Sequence, residues 1–241
     1  MNPSTSARAT FALLAATVTS APALAQEPPA SAIAASLTFS TDRMWRGLSQ
    51  TAGGPAVAGE VKWNHRAGPF VGLWAANYES DSSSEAGIAS LPFVGFNRDF
   101  GRVNLDTGYL YRHYSGRGRE RDFNEVTVSV AYRFSRLSAR LGIFHSGDHY
   151  LGGDSVYSYL DTRIPLGTLG KTPIVLSTHL GRADLPGADS DYADLQVSLA
   201  ARMRWVTCAL HVSHATIDDE GREEGARHGG TRAAISIFKL F

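Results

Sequence analysis

The sequence predicts an all-β fold, a transmembrane antiparallel up-and-down β-barrel of about 12 strands, on three observations. Apolar and polar residues alternate with a period of two over most of the chain from Ser36 onward. The connections between the alternating runs are by turns long and short. Beyond the first 25 residues no run is long and apolar enough for a membrane-crossing helix, so any crossing must be made by strands.

The alternation is clearest in the middle of the chain. Val103, Leu105, Thr107, Tyr109 and Tyr111 share one parity, against Asn104, Asp106, Gly108 and Arg112. The next run sets Val126, Val128, Val130, Tyr132 and Phe134 against Glu125, Thr127, Ser129, Ala131 and Arg133. Leu195, Val197 and Leu199 oppose Asp194, Gln196, Ser198 and Arg202, and Val206, Cys208, Leu210 and Val212 oppose Thr207, His211 and Ser213. Successive side chains of a strand point to opposite faces, so each run has one apolar and one polar face. Twelve runs follow: 35–45, 55–65, 69–79, 87–97, 102–114, 123–134, 137–146, 155–165, 172–182, 191–203, 205–216 and 230–241. The third and fourth carry apolar residues on both parities.

Long connections are expected at 46–54, 80–86, 115–122, 147–154, 183–190 and 217–229, and short ones at 66–68, 98–101, 135–136 and 203–204. The link 166–171 is intermediate. Long loops on one side and tight turns on the other are the pattern of outer-membrane barrels, and an even strand count puts both ends of the barrel on the tight-turn, periplasmic side. A soluble sandwich or lipocalin-like barrel would also alternate. Against it stand the apolar face in nearly every run and run lengths that match a tilted crossing of the hydrocarbon layer. Phe39, Trp45, Trp63, Phe70, Tyr109, Tyr111, Tyr132, Phe134 and Trp205 lie near strand ends and resemble interfacial girdles.

The amino-terminal 25 residues read as a signal peptide, with Arg8 as their only charge, a small apolar run from Ala9 to Val18 and an A-x-A-type site at Ala23-Leu24-Ala25. Residues 26–34 form a short linker and 35–241 the barrel. Lysines plus arginines equal aspartates plus glutamates at 23 each, so no general attraction for nucleic acid is expected. The single cysteine, Cys208, excludes an intrachain disulfide framework.

At Thr41-Asp42-Arg43-Met44-Trp45-Arg46-Gly47-Leu48-Ser49-Gln50-Thr51, followed by Pro55-Ala56-Val57, the chain resembles the TorF-type putative porin family, which has a D-Y-M-F-R-G-x-S-Q-T stretch closing its first strand. Arg43 and Trp45 replace two of the usual aromatics. Weaker matches are Gly72-Leu73-Trp74-Ala75-Ala76-Asn77, Asp106-Thr107-Gly108-Tyr109-Leu110-Tyr111 and the closing Ile237-Phe238-Lys239-Leu240-Phe241. The resemblance implies an exported outer-membrane barrel forming a pore, with no established substrate. Phe241 on the final strand also resembles the terminal signature read by the barrel-assembly machinery.

The polar parity, taken as lumen-facing, supplies the pore-lining candidates. Its acids are Asp42, Glu60, Asp106, Glu125, Asp161 and Asp194, and its bases Lys62, Arg112, Arg133, Arg140, Arg163, Arg202 and Arg232. Opposed charges in a lumen either filter solutes or pair into ion bridges that stiffen a narrow barrel. Arg46 is the further candidate, as a constriction arginine or a contact for lipid phosphate; a local cap on Asp42 or on loop carbonyls is the simpler role. Small hydrophilic solutes or ions are the expected cargo, and a closed barrel whose outer loops bind partners is the alternative. A lipid-modifying enzyme is a weaker one.

No catalytic, cofactor or metal residue is assigned. Ser213–His214 and His145–Ser146 are sequence neighbours and so face opposite ways on a strand, and no G-x-S-x-G elbow is present. The eight histidines form no ligand-spaced cluster; His211 and His214 fall on opposite faces, and His145 and His149 straddle a strand end. Asp148 and Asp154 with Gly147, Gly152 and Gly153 lack EF-hand spacing and read as a solvated turn. The charged stretches 117–122 and 218–227 fall in predicted outer loops, where outer-membrane lipid and lipopolysaccharide are the neighbours.

Overall fold

The computed structural model describes residues 31–79, 86–115, 122–149, 153–185, 191–216 and 229–241. Twelve strands close into one antiparallel barrel: β1 Ser31–Ser40, β4 Ala56–His65, β5 Pro69–Glu79, β6 Ala86–Phe100, β7 Val103–Tyr114, β8 Phe123–Arg133, β9 Ser138–His149, β10 Gly153–Leu169, β11 Thr172–Asp184, β12 Tyr192–Arg202, β13 Thr207–Ala215 and β14 Gly230–Leu240. Each pairs with its sequence neighbour, and β1 closes the ring by pairing with both β4 and β14. Two further short strands, β2 Met44–Trp45 and β3 Leu48–Ser49, form a separate hairpin between β1 and β4. Closure leaves no unpaired sheet edge, the condition for a β structure to stand in lipid.

The barrel's strand count and parity agree with the sequence expectation, and the boundary shifts that change a connection fall at β1, at the turn after β10 and at the loop between β9 and β10. β1 begins at Ser31, within the predicted linker, and ends at Ser40 rather than 45. The residues released by that early end supply the β2–β3 hairpin, so the expected loop 46–54 is partly ordered. The link 166–171 is a two-residue turn at Gly170-Lys171: a register shift between Pro165 and Gly167 lets β10 run on through it. The loop 147–154 is shorter than expected, because β9 reaches His149 and β10 starts at Gly153. The predicted signal peptide and the loop segments 117–121 and 218–227 lie outside the described residues.

The outer wall is apolar around the ring. Val61, Leu73, Val94, Val128, Leu141, Leu160, Leu180, Val197, Leu210 and Ile235 all project outward from the strands and are exposed. Phe39, Trp63, Tyr109, Tyr111, Tyr132, Phe134 and Trp205 are exposed on this side too, as a girdle requires. Trp45 and Phe70 are corrections to that set: both are buried inside the barrel. Leu210 pairs with Leu199 and Ile235 in mid-wall. Leu210→Arg is expected to destabilise the protein by about 2–4 kcal/mol, the cost of a basic side chain at the lipid midplane; urea unfolding in phospholipid vesicles measures it.

The inner wall is less polar than the alternation suggests. Phe70, Trp74, Leu91, Phe93, Leu110, Phe123, Phe144, Tyr157 and Tyr159 are buried inward on β5–β10 and form one cluster with Trp45 of the hairpin. The facing wall, β12–β14 and β1, carries Ser198, Ala200, Ala209, His211, Ser213, Ala234, Ser236, Thr38 and Ser40. Phe70 lies across Gly95 and Phe93 across Gly72 on paired strands, and a Cβ at either glycine would collide with the ring. This apolar interior explains the third and fourth predicted strands, whose two faces look alike in sequence.

Candidate functional site

The hairpin turns into the lumen from the end where the long loops lie. Its tip, Arg46-Gly47, holds both residues in the left-handed region, with φ of 50° and 76°, the conformation of a two-residue hairpin turn. Asp42 secures the root: its Oδ1 accepts from the Ser49 hydroxyl at 2.6 Å and lies 3.0 Å from Thr51 Oγ1. Gln50 N–H donates to the Arg43 carbonyl at 2.7 Å, Arg43 Nε donates to the Asn77 carbonyl of β5 at 3.2 Å, and Glu79 N–H donates to the Gln50 carbonyl at 3.0 Å.

From this root the hairpin reaches the opposite side of the barrel. A Cβ at Gly47 would sit 2.5 Å from Asp194 Cβ on β12 and 2.9 Å from Ala215 Cβ on β13, so only glycine fits between tip and wall. Arg46 Nη2 donates to Glu125 Oε1 of β8 at 2.5 Å, and Arg112 Nη2 of β7 donates to Glu125 Oε2 at 3.4 Å. The Arg46 guanidinium stands 4.2 Å from the Tyr157 ring centroid, 4.6 Å from Trp45 and 4.9 Å from Phe144, while that of Arg112 stands 4.2 Å from Trp45. One carboxylate thus binds two cations, each set against aromatic faces, and all three side chains are at most 5% exposed. Arg46 reaches across the lumen to Glu125, while Ser49 and Thr51 satisfy Asp42; the simpler expectation of a local cap is corrected accordingly.

Beneath the hairpin, strand register arranges inward side chains in rows. One row reads Ala131, Arg140, Asp161, His179, Gln196, Ser213 and Arg232 across β8–β14. Within it His179 Nδ1 lies 2.6 Å from Asp161 Oδ1, while Nε2 lies 2.6 Å from Tyr157 Oη and 3.3 Å from Asp194 Oδ1. Tyr157 Oη donates to Asp194 Oδ2 at 2.8 Å. Gly181 leaves the space that Tyr157 fills. On the other side of the lumen, Lys62 of β4 lies within electrostatic reach of Glu60, Asp106 and Arg140. Asp106 accepts from Asn97 Nδ2 at 2.5 Å.

The sequence-selected residues fall into three groups. Asp42, Arg46, Arg112, Glu125 and Asp194 are buried at or beside the hairpin. Glu60, Lys62, Asp106, Arg140, Asp161 and Arg163 face inward below it. Arg133, Arg202 and Arg232 share the inward parity nearer the strand ends; Arg133 bridges Asp99 at 2.9 Å and Arg232 comes 3.9 Å from Asp42. Side-chain exposure is 22% at Arg133, 28% at Asp99 and 39% at Asp161, against at most 5% at Arg46, Arg112 and Glu125. Sequence reasoning leaves out Arg43, Tyr157 and His179, although strand parity marks the last two as inward, and places His211 on the polar parity without giving it a role. His211 bridges Ser198 and Ser236 at 2.8 Å each, so both ring nitrogens are taken by hydroxyls. His214 and His145 point outward, as their parity requires.

At the long-loop rim outside the lumen, burial pushes the Asp122 carboxyl up, but hydrogen bonds from His113, the Tyr114 N–H and Tyr111 outweigh it and hold the group below the usual carboxylate range. Such a clasp contributes above the unfolded carboxylate pKa and is lost as pH falls through the lowered folded value.

Residues 25–237 match a family described as bacterial protein of unknown function (Gcw_chp). The chain belongs to that family. No curated protein matches it. Among solved structures, a KdgM porin is similar with 9% identity, covering 86% of this chain and 99% of the other at a TM-score of 0.57. A KdgM porin in complex with disordered oligogalacturonate is 10% identical, with 88% and 99% covered and a TM-score of 0.56. At such identity the likeness is one of fold, and it extends over nearly the whole of both chains.

Proposed function

We propose that this member of the family is a narrow outer-membrane channel through which small hydrophilic solutes or ions diffuse passively, with the β2–β3 hairpin as its constriction. The observation that carries the reading is the contrast between the two halves of the lumen. Partly exposed charged side chains line the half at the tight-turn end, and the one inward hairpin among the described residues, latched by Arg46 to Glu125, narrows the other. The apolar outer wall supports residence in lipid, and the signal-peptide pattern supports export to the outer membrane of a Gram-negative bacterium. On this reading the long loops face lipopolysaccharide outside, and the barrel-assembly machinery acts on β14 during biogenesis. The resemblance of residues 41–51 to the TorF-type porin motif supports it as well, because those residues build the hairpin.

The deep burial of Arg46, Arg112 and Glu125 favours a second reading, a closed barrel whose outer loops bind partners. Liposome swelling separates the two. A channel admits arabinose and small salts into proteoliposomes faster than protein-free vesicles do; a closed barrel of the same folded purity gives no swelling above background. Fractionation with outer membranes and a faster unheated than boiled band in SDS gels test the location and the barrel together.

A further inference from the structure

The five tight turns of the barrel share one chemical feature. Each carries one basic residue and no acidic one: Arg66 between β4 and β5, Arg102 between β6 and β7, Arg136 between β8 and β9, Lys171 between β10 and β11, and Arg204 between β12 and β13. Alternate connections of an up-and-down barrel fall at one end, so the five stand around a single rim. Arg98 and Lys239 join them from the wall beside that rim, at outward positions paired with Leu105 and Leu37. All of these side chains are exposed, and none is paired with a carboxylate side chain among the described residues. Asp99, next to Arg98, lies on the inward parity and bridges Arg133 at 2.9 Å.

Aromatic rings sit beside the charges. Trp63, Phe100, Phe134, Trp205 and Phe241 are exposed at the same end. The Arg204 guanidinium stands 4.8 Å from the Trp205 ring centroid, and Lys239 Nζ stands 4.5 Å from that of Phe241. A ring at the boundary of the hydrocarbon with a cation reaching past it toward the headgroups is the arrangement of a membrane interface. The opposite rim has the other sign: among the described residues Glu79, Asp148, Asp154, Asp184 and Asp191 are exposed there, with Arg182 as the exposed arginine. The basic rim is therefore a local feature of one end and not a property of the whole surface.

We propose that the tight-turn rim is a docking collar for anionic phospholipids, whose headgroup phosphates meet the turn arginines and lysines while Trp63 and Trp205 rest at the edge of the hydrocarbon. Guanidinium groups bind phosphate oxygens in bidentate fashion. Successive turns lie two strands apart, about 10 Å, so each addresses a separate headgroup. One basic residue near the surface favours an anionic over a zwitterionic headgroup by about fivefold. The collar rests on the outer-membrane part of the reading above, and it holds whether or not the barrel conducts.

The test uses the full-length protein refolded into vesicles that are equal mixtures of phosphatidylglycerol and phosphatidylcholine, with one or the other carrying brominated acyl chains. Bromine quenches tryptophan on contact. Trp63 and Trp205 are exposed at this rim, whereas Trp45 and Trp74 are buried in the interior, so quenching reports the lipids at the collar whichever way the barrel inserts. Brominated phosphatidylglycerol is expected to quench the wild type as if enriched about fivefold over phosphatidylcholine at the tryptophans. The triple variant Arg66→Gln/Arg204→Gln/Lys239→Gln is expected to bring the two lipids close to parity. Sodium phosphate is expected to lower the enrichment no more than sodium chloride of the same ionic strength; a larger loss would make the rim a site for free phosphate and overturn the lipid assignment. Equal quenching by both lipids in the wild type, or enrichment that the triple variant keeps, overturns the collar and leaves the membrane reading standing. Quenching by neither lipid overturns the membrane reading and the collar with it. Should the triple variant fail to fold, Arg204→Gln alone carries the test: it is expected to lose part of the enrichment, and an unchanged value overturns the collar.

Discussion

Glu125→Ala is expected to destabilise the protein by about 3–5 kcal/mol, the cost of removing one partner from a buried ion pair. Two guanidiniums depend on that carboxylate, Arg46 from the hairpin and Arg112 from β7, and neither has solvent to fall back on. The strong desolvation of the three groups works in one direction only. Paired they are tolerated, whereas two uncompensated cations against Trp45, Phe123 and Tyr157 are not. The double variant Arg46→Met/Glu125→Leu exchanges one ion pair for apolar volume and should recover part of the loss, because the surrounding cluster is already aromatic. Urea unfolding of the refolded barrels in vesicles, followed by tryptophan fluorescence, measures both. A Glu125→Ala protein as stable as the wild type would show that the latch holds nothing together.

Replacing residues 44–53 by a short Gly-Ser linker is expected to raise single-channel conductance several-fold while the barrel stays closed. The hairpin contributes no strand to the ring: β1 pairs directly with β4 from Ser40–Ala56 to Ser31–His65. What it does contribute is the cross-lumen contact of Gly47 with the β12–β13 wall and of Arg46 with β8. Gly47→Ala should act in the same direction to a smaller extent. An added Cβ has no room against Asp194 and Ala215, and the left-handed φ of 76° disfavours it further, so the tip must retreat from the wall. A shortened protein that conducts like the wild type would remove the hairpin from the pathway.

The two faces of most strands are legible because the outward wall is apolar around the ring. Around Leu195 and Val128 the outward parity is apolar, with Ala193, Val197 and Leu199 on β12 and Val126, Val130 and Tyr132 on β8, as a wall facing hydrocarbon would need. The inward parity follows no such rule. Beside the hairpin it bears Leu110 and Arg112 on β7 and Phe123 and Glu125 on β8, an apolar side chain and a charged one two residues apart on each strand. For the same reason the sequence does not separate Trp45 and Phe70 from the girdle residues: an aromatic near a strand end suits the membrane interface and an interior cluster equally well. Arg46 shows the limit most clearly. The sequence places it near Asp42, at a loop of small residues, where a local cap is the economical reading. Its true partner, Glu125, is 79 residues away. Only the register of β7 and β8, together with the early end of β1, brings the two groups to the same height. The network likewise joins His179 of β11 to Asp161 and Tyr157 of β10 and Asp194 of β12, and no spacing along the chain announces it.

The central claim is that the lumen is a passage with one removable constriction. Planar-bilayer recording of the purified wild type beside the 44–53 replacement tests it most directly. The account predicts small discrete conductance steps from the wild type and larger steps from the replacement. Well-folded, heat-modifiable preparations that give no steps in either protein would contradict it.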